Sequence, residues 1–302
     1  MFNFKSDIQF INYFRLFNFV SLILILISVV FIFYKGLNFG VDFKGGTLIE
    51  LRVENDEIGI GDVRQSFIKM NLGDVNVKKF GKGNDYLIKF EQTDKNKENF
   101  IENIKTQLSK NLGGNFSFRR VENVGPKVSA ELLKSGILAI GLSLAAMLLY
   151  IWIRFEWQFS LGAILALFHD VIITLGVFSL FSLEINLSIV AAVLTIVGYS
   201  MNDTVVIFDR VRENLRKFSD IKIFELTNIS INETLSRTII TSVTTLLALL
   251  SIYFFGGEIL RGFSLAMILG VIFGTYSSIF IANPVLVFLR ISQKTILKED
   301  KN

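Results

Sequence analysis

Several stretches of this chain are apolar for the roughly 20 residues that a helix needs to cross a hydrocarbon core. Six spans can be counted, and they are unevenly placed. The first runs from about Phe17 to Tyr34. The other five crowd the last two thirds, at about Leu132–Ile153, Phe159–Phe181, Leu187–Phe208, Thr238–Phe255 and Phe263–Leu289. The sixth is long enough to tilt or to begin at the interface. Gly262, Ala266, Gly270, Gly274 and Ser278 recur along it every fourth position, a stripe that lets another helix approach closely. Asn283-Pro284 near its end predicts a kink or a loosened turn.

Between the first and second spans the pattern changes. Thr47–Val53 alternates as a strand, and Ile60–Leu72 has helical spacing through Val63, Phe67, Ile68 and Leu72. Asp74–Phe80 reads as a second strand, and Gly81-Lys82-Gly83-Asn84 as a turn into a third, Asp85–Phe90. Lys97–Leu112 is helical through Phe100, Ile101, Ile104 and Leu108. Gly113-Gly114 ends it, and Phe116–Val121 is a fourth strand. The order βαββαβ predicts a ferredoxin-like α+β sandwich, a topology that implies no activity by itself. Pro126 suits the start of the second membrane helix. Gly45-Gly46 predicts a turn with unusual backbone angles.

Positive residues in short loops set the orientation. Lys5 and Arg15 precede the first span, Arg154 lies between the second and third, and Arg210, Arg212, Arg216, Lys217 and Lys222 follow the fourth. Arg290, Lys294, Lys298 and Lys301 follow the sixth. The alternate short loops carry only acidic charges, so all basic clusters fall on one side. This predicts cytoplasmic termini and an exported α+β domain. The expected divisions are residues 1–34 (cytoplasmic N-terminus and first helix), 35–130 (exported domain), 131–289 (helices two to six) and 290–302 (basic cytoplasmic tail). The first span is too long for a signal-peptide core and ends in no small-residue cleavage site, so it reads as a retained anchor.

Composition agrees. The 302 residues are 51% hydrophobic, with mean hydropathy +0.52, which places the chain among polytopic membrane proteins with the lipid bilayer as their surroundings. A net charge of +4 reflects loop placement of Lys and Arg and implies no nucleic acid. There is no cysteine, hence no disulfide or thiolate metal site.

The candidate chemistry lies inside the spans. Asp203 sits in the apolar fourth span, before a strongly charged exit. An ionised carboxylate in hydrocarbon costs on the order of 2.5–3.5 kcal/mol even on the lenient insertion scale, so an ion or proton site is the leading reading. A carboxylate that only pins helices is the alternative. Tyr199, one turn earlier, and Asn202 and Thr204 beside it are polar neighbours that could instead serve helix–helix hydrogen bonds. His169-Asp170 in the third span is the other pair. His169 is the only histidine, and it titrates in the physiological range, so relay and structural roles both stay open. One histidine without further His, Cys or carboxylates makes no convincing metal site. Thr238, Thr241, Thr244 and Thr245 could line a wet path or bond their own backbone. Asp209 and Arg210 are expected to be solvated or paired near the interface. No phosphate loop, nucleophile elbow or ligand cluster supports an enzyme or a cofactor. The energy source is then an ion gradient, and one carboxylate suits a proton better than Na⁺.

Five motifs, in order, carry a family resemblance: FGVDFKGGTLIEL (Phe39–Leu51), VENVGPKVSAEL (Val121–Leu132), LFHDVIITLG in the third span, VGYSMNDTVVIFDRVREN (Val197–Asn214), and ETLSRTIITSVTTLLALL opening the fifth. The chain resembles the SecF family of protein-export membrane subunits, relatives of the RND transporters. Asn202-Asp203-Thr204 is the SecF form of a motif whose SecD form has an Asp-Ala-Asn core. The resemblance covers nearly the whole chain and implies half of an RND-type bundle in the bacterial cytoplasmic (inner) membrane. It implies a SecD-like partner, the Sec translocon channel, unfolded preproteins as substrates, and use of the proton gradient. It also implies that Asp203 and Arg237 are functional charges. Geometry is compatible: Asp203 lies about 10 Å along the helix from Arg210, and Arg237 opens the returning span, so the two can be partners at similar depth. A proton-coupled exporter of small solutes or lipids and a passive translocon scaffold remain as alternatives.

Overall fold

The computed structural model describes residues 8–80, 83–91, 97–113, 116–218 and 221–292. Gly81, Lys82, Gly114 and the basic residues Lys5, Lys294, Lys298 and Lys301 lie outside them. In chain order the elements are α1 (Phe10–Lys35), β1 (Asn38–Phe39), α2 (Val41–Lys44), β2 (Gly46–Val53), α3 (Ile60–Ile68), β3 (Val75–Phe80), β4 (Asp85–Phe90), α4 (Lys97–Leu112) and β5 (Phe116–Val124). Then follow α5 (Pro126–Arg154), α6 (Trp157–Leu180), β6 (Glu184–Ile185), α7 (Leu187–Lys217), α8 (Ile223–Phe255), α9 (Glu258–Ser277), a π-helical turn (Ser278–Ala282) and α10 (Asn283–Phe288). Two compact units result: Phe39–Ile137, and the remainder of the chain.

In the smaller unit the sheet order is β3-β4-β2-β5. All three pairings are antiparallel. With α3 and α4 in the connections this is the expected ferredoxin-like topology. Strand period two sends Ile49, Leu51 and Val53 of β2 to one face, where they meet Val63, Phe67, Phe100, Ile104 and Leu108 from the two helices. Opposite faces carry ion pairs. Arg52 grips Asp85 with two bonds, 2.6 and 2.7 Å, and Arg120 pairs with Glu122 and, at 3.6 Å, with Glu50. The Arg52 bond holds the Asp85 carboxyl below its ordinary range, while burial pushes the Lys89 ammonium down to about 8. Gly45 (φ 81°) and Gly46 (φ 124°) adopt positive-φ backbone, and a Cβ on Gly46 would stand 2.7 Å from the Phe90 carbonyl oxygen. Helix α3 stops at Ile68, not Leu72, because Asn71 turns to φ 55°.

In the other unit six helices among the described residues are long and apolar enough to cross a membrane, α10 closing the last. Helices α6, α7 and the last span are about half buried, and α1, α5 and α8 are mostly exposed. The first therefore form the inside of the bundle. Two helices start earlier than hydropathy indicates. Helix α8 begins at Ile223, not Thr238, because Leu226, Ser230, Ile231, Thr234 and Leu235 form a buried stripe in an otherwise polar turn sequence. Helix α1 begins at Phe10. The Phe10 N–H donates to Asn228 Oδ1 at 2.9 Å, and Asn232 both accepts from the Ile8 amide and donates to its carbonyl.

The small-residue stripe packs inside this bundle. Built Cβ atoms on Gly270 and Gly274 would stand 2.2 Å from Ile196 and 3.0 Å from Ser200 of α7. Pro284 does disturb the last span, one turn upstream. It has no N–H to offer and its ring crowds the preceding turn, the helix widens over Ser278–Ala282, and Asn283 Nδ2 donates to the Ser278 carbonyl at 2.6 Å.

Candidate functional site

The close α7–α9 approach lets short polar side chains meet across helices that are otherwise apolar. Two carboxylates lie in this seam, and their surroundings differ. Asp170, on α6, is 0% exposed. It accepts from His169 Nδ1–H at 2.8 Å, from Ser200 Oγ of α7 at 2.6 Å and from Ser277 Oγ of α9 at 2.8 Å. One carboxylate therefore joins three helices. The His169 ring is buried, stacks on Tyr276 with centroids 5.8 Å apart, and leaves Nε2 without a partner. Tyr276 in turn donates to the Phe17 carbonyl of α1 at 2.7 Å.

Asp203 sits one turn along α7 from Ser200 and is 3% exposed. Its Oδ2 accepts from Thr275 Oγ1 of α9 at 3.5 Å. No ion pair within 4.0 Å joins Asp203 and Arg237 among the described residues, and the Arg237 side chain is exposed on α8. The structure thus puts Asp203 and Arg237 on neighbouring helices without a salt bridge. Thr204 bonds Ser278 at 3.0 Å and the Ser200 carbonyl at 3.2 Å, so it serves the α7–α9 seam. Asn202 is exposed. With 3.6 residues per turn, a residue next to an inward carboxylate is turned away by about 100°. Tyr199 is half-buried, and its hydroxyl lies 3.5 Å from Ser242 of α8.

Of the threonines that could line a wet path or bond their own backbone, Thr241, Thr244 and Thr245 do the second. Asp209 pairs with Arg154 at 3.1 Å, and Arg210 with Glu233 and Glu213, both at 2.6 Å. Ser200, Ser277, Ser242 and Thr275 were not singled out in the sequence. The available signal was a small hydroxyl residue inside an apolar span: Ser200 lies within the Asp203 motif and Ser277 beside the last residue of the stripe. Chemically the two carboxylates differ. The oxygens of Asp170 are taken up by three donors, which suits a clamp. Those of Asp203 meet one long bond and stay open to a proton. Among the described residues no group of His, Cys, Asp and Glu could hold a metal ion.

Comparison with known proteins gives consistent matches. The family described as protein export membrane protein SecD/SecF, C-terminal, matches residues 104–292, and the SecD/SecF GG motif matches residues 30–57, around Gly45-Gly46. The chain is 48% identical over 283 residues to the protein translocase subunit SecF of Rickettsia bellii (strain OSU 85-389), covering 93% of each. To that of Rickettsia rickettsii (strain Sheila Smith) it is 47% identical, covering 93% of this chain and 92% of the relative. The crystal structure of SecDF from Thermus thermophilus, described as a translocon-associated membrane protein, superposes with TM-score 0.85 at 34% identity over 96% of this chain. A super-membrane-facing form of SecDF gives TM-score 0.69 at 33% identity over 98% of this chain. The chain spans 39% and 40% of those two SecDF chains.

Proposed function

The chain belongs to the SecD/SecF family of protein-export membrane proteins, on its SecF side, and from that premise we propose that it draws on the proton gradient to help unfolded preproteins cross the bacterial cytoplasmic membrane. It works with a SecD-like subunit, which supplies the rest of a SecDF-type assembly, beside the Sec translocon channel. Residues 1–34 hold the cytoplasmic N-terminus and first helix, 35–130 the exported domain, 131–289 the remaining spans, and 290–302 the cytoplasmic tail. The one-sided basic residues support this orientation.

The observation that carries the reading is Asp203. It is buried in an apolar helix, has among the described residues one long hydrogen bond, from Thr275, and forms no ion pair with Arg237 within 4.0 Å. Gaining a proton removes the charge there, and with it the pull on Arg237 of the neighbouring helix. The preferred packing of α7 against α8 then differs between the two states, as a gradient-driven cycle requires. Thr204 ties α7 to the last span beside this charge, and His169-Asp170 holds the helices around it.

The test is preprotein translocation into membrane vesicles, with and without a proton gradient, at matched subunit levels. Asp203→Asn keeps size and polarity but cannot titrate, so gradient stimulation is lost while insertion and partner binding persist. Arg237→Lys is poorly tolerated, since a flexible point charge does not replace a planar fork. Full gradient stimulation of Asp203→Asn overturns the proposal and leaves a passive scaffold.

A further inference from the structure

Asp203 is the end of a line of hydroxyls drawn from three helices. Tyr199 of α7 donates to Ser242 Oγ of α8 at 3.5 Å. Ser242 Oγ and Thr275 Oγ1 of α9 are 2.7 Å apart. Thr275 Oγ1 donates to Asp203 Oδ2 at 3.5 Å. We propose that Tyr199, Ser242 and Thr275 form the relay that delivers the proton to Asp203. This rests on Asp203 being the coupling site and names the route by which that site is loaded.

Three features carry the inference. A hydroxyl is both donor and acceptor, so a line of them passes a proton without any member becoming charged for long. The bonds run one way: Tyr199 and Thr275 both donate toward the carboxylate, and the central pair can be oriented to agree. The line also runs inside the bundle, with Tyr199 and Thr275 half-buried and Ser242 and Asp203 buried. Neighbouring hydroxyls behave otherwise, since Thr241, Thr244 and Thr245 turn back to their own helix, whereas Ser242 and Thr275 face each other across a helix seam.

The direction suits an inward proton flow. Tyr199 is one turn from Asp203 toward Leu187, the end of α7 that the basic residues place on the exported side. Arg237 lies on α8 on the other side of Ser242, toward the end of the helix that the basic residues place in the cytoplasm. A positive charge there opposes passage of a proton beyond the carboxylate.

Each transfer balances. A hydronium ion on the exported side gives a proton to the Tyr199 oxygen, leaving water, as the Tyr199 O–H proton passes to Ser242 Oγ. The Ser242 proton passes to Thr275 Oγ1, and the Thr275 proton to Asp203 Oδ2. One proton has moved, three hydroxyls are regenerated, and the carboxylate ends neutral. The hydroxyls must then rotate before a second transfer. Both outer links stand at the long limit of a hydrogen bond and the central one is short. Small shifts of α7 or α9 against α8 therefore open or close the line, which gates loading of Asp203 by helix position.

The experiment uses vesicles containing the chain with its SecD-like partner at matched levels, reading the gradient-dependent part of preprotein translocation. Ser242→Ala and Thr275→Val remove one hydroxyl each and are expected to lose it. Ser242→Thr and Thr275→Ser keep the hydroxyl and are expected to retain it, an outcome that packing alone does not produce. If both hydroxyl-free variants keep full stimulation while Asp203→Asn loses it, the relay is wrong and the proton site stands. Equal losses in Ser242→Ala and Ser242→Thr also overturn the relay. If Asp203→Asn itself keeps stimulation, the underlying site falls first.

Discussion

Asp170 offers the sharpest structural test, because the chemistry of its three donors predicts different costs for two similar substitutions. Asp170→Ala removes the acceptor shared by His169, Ser200 and Ser277. A hydrogen bond inside a membrane protein averages about 0.6 kcal/mol, and a buried donor left without any partner costs about 1–3 kcal/mol. Three donors then give about 2 kcal/mol at the low end and about 6 kcal/mol if each is left fully unpaired. Asp170→Asn is far milder. Its amide oxygen can replace Oδ2 and accept from both serines. Its NH₂ then faces His169 Nδ1, and the imidazole can carry its proton on Nε2 instead and accept at Nδ1. All three contacts survive, so the expected cost is below about 1 kcal/mol. The assay is denaturant unfolding of the detergent-solubilised protein, followed by tryptophan fluorescence, since Trp157 begins the helix that carries Asp170. Ser200→Ala should cost stability in the wild type and nothing further in the Asp170→Ala background, the signature of one shared bond. A wild-type unfolding midpoint for Asp170→Ala, or an undiminished Ser200→Ala cost in that background, refutes the clamp. If instead Asp170→Asn is stable but loses gradient-stimulated export, the carboxylate titrates in function, and the clamp is also a relay member.

Two other outcomes are expected. A reporter inserted within Asn84–Lys97 reads as exported and one near Arg216 as cytoplasmic; a cytoplasmic signal from the first overturns the orientation inferred from the basic residues. The Arg52 bond depresses the folded-state value of Asp85, so its contribution is present above the ordinary carboxylate range and is lost as pH falls through the folded value. Hydrogen exchange of the β2 and β4 amides in the intact protein therefore separates wild type from Asp85→Asn near neutrality and converges in strong acid. A gap that widens as pH falls contradicts the assigned bond.

Much of this architecture was written into the order of residues. Hydropathy located six spans because a bilayer demands long apolar runs whatever their neighbours do. Period-two alternation in Thr47–Val53 and the helical spacing of Val63 and Phe67 forecast the ferredoxin-like unit, since both patterns reflect one buried face. Gly45-Gly46 announced the positive-φ turn, and Asp203 announced itself as a carboxylate where water is scarce. Hydropathy placed the start of α8 too late because Ile223–Arg237 is held by one buried stripe, and averaging over the window hides a stripe.

What the order of residues left open was which side chains meet. Asp170 looked no more connected than Asp203 until α6, α7 and α9 came together and set Ser200 and Ser277 on its oxygens. Those donors are 30 and 107 residues away in sequence. Likewise nothing local tells that Ser242 and Thr275 face each other, that Arg237 stays off Asp203, or that Asn202 turns outward. These depend on how far each helix is rotated about its own axis and how closely its neighbour approaches. Both are fixed by packing: Gly270 admits Ile196 where a Cβ would clash, and Gly274 admits Ser200 where a Cβ would be tight. Apolar periodicity is a property of one helix, whereas the line of hydroxyls that ends at Asp203 belongs to the seam between three.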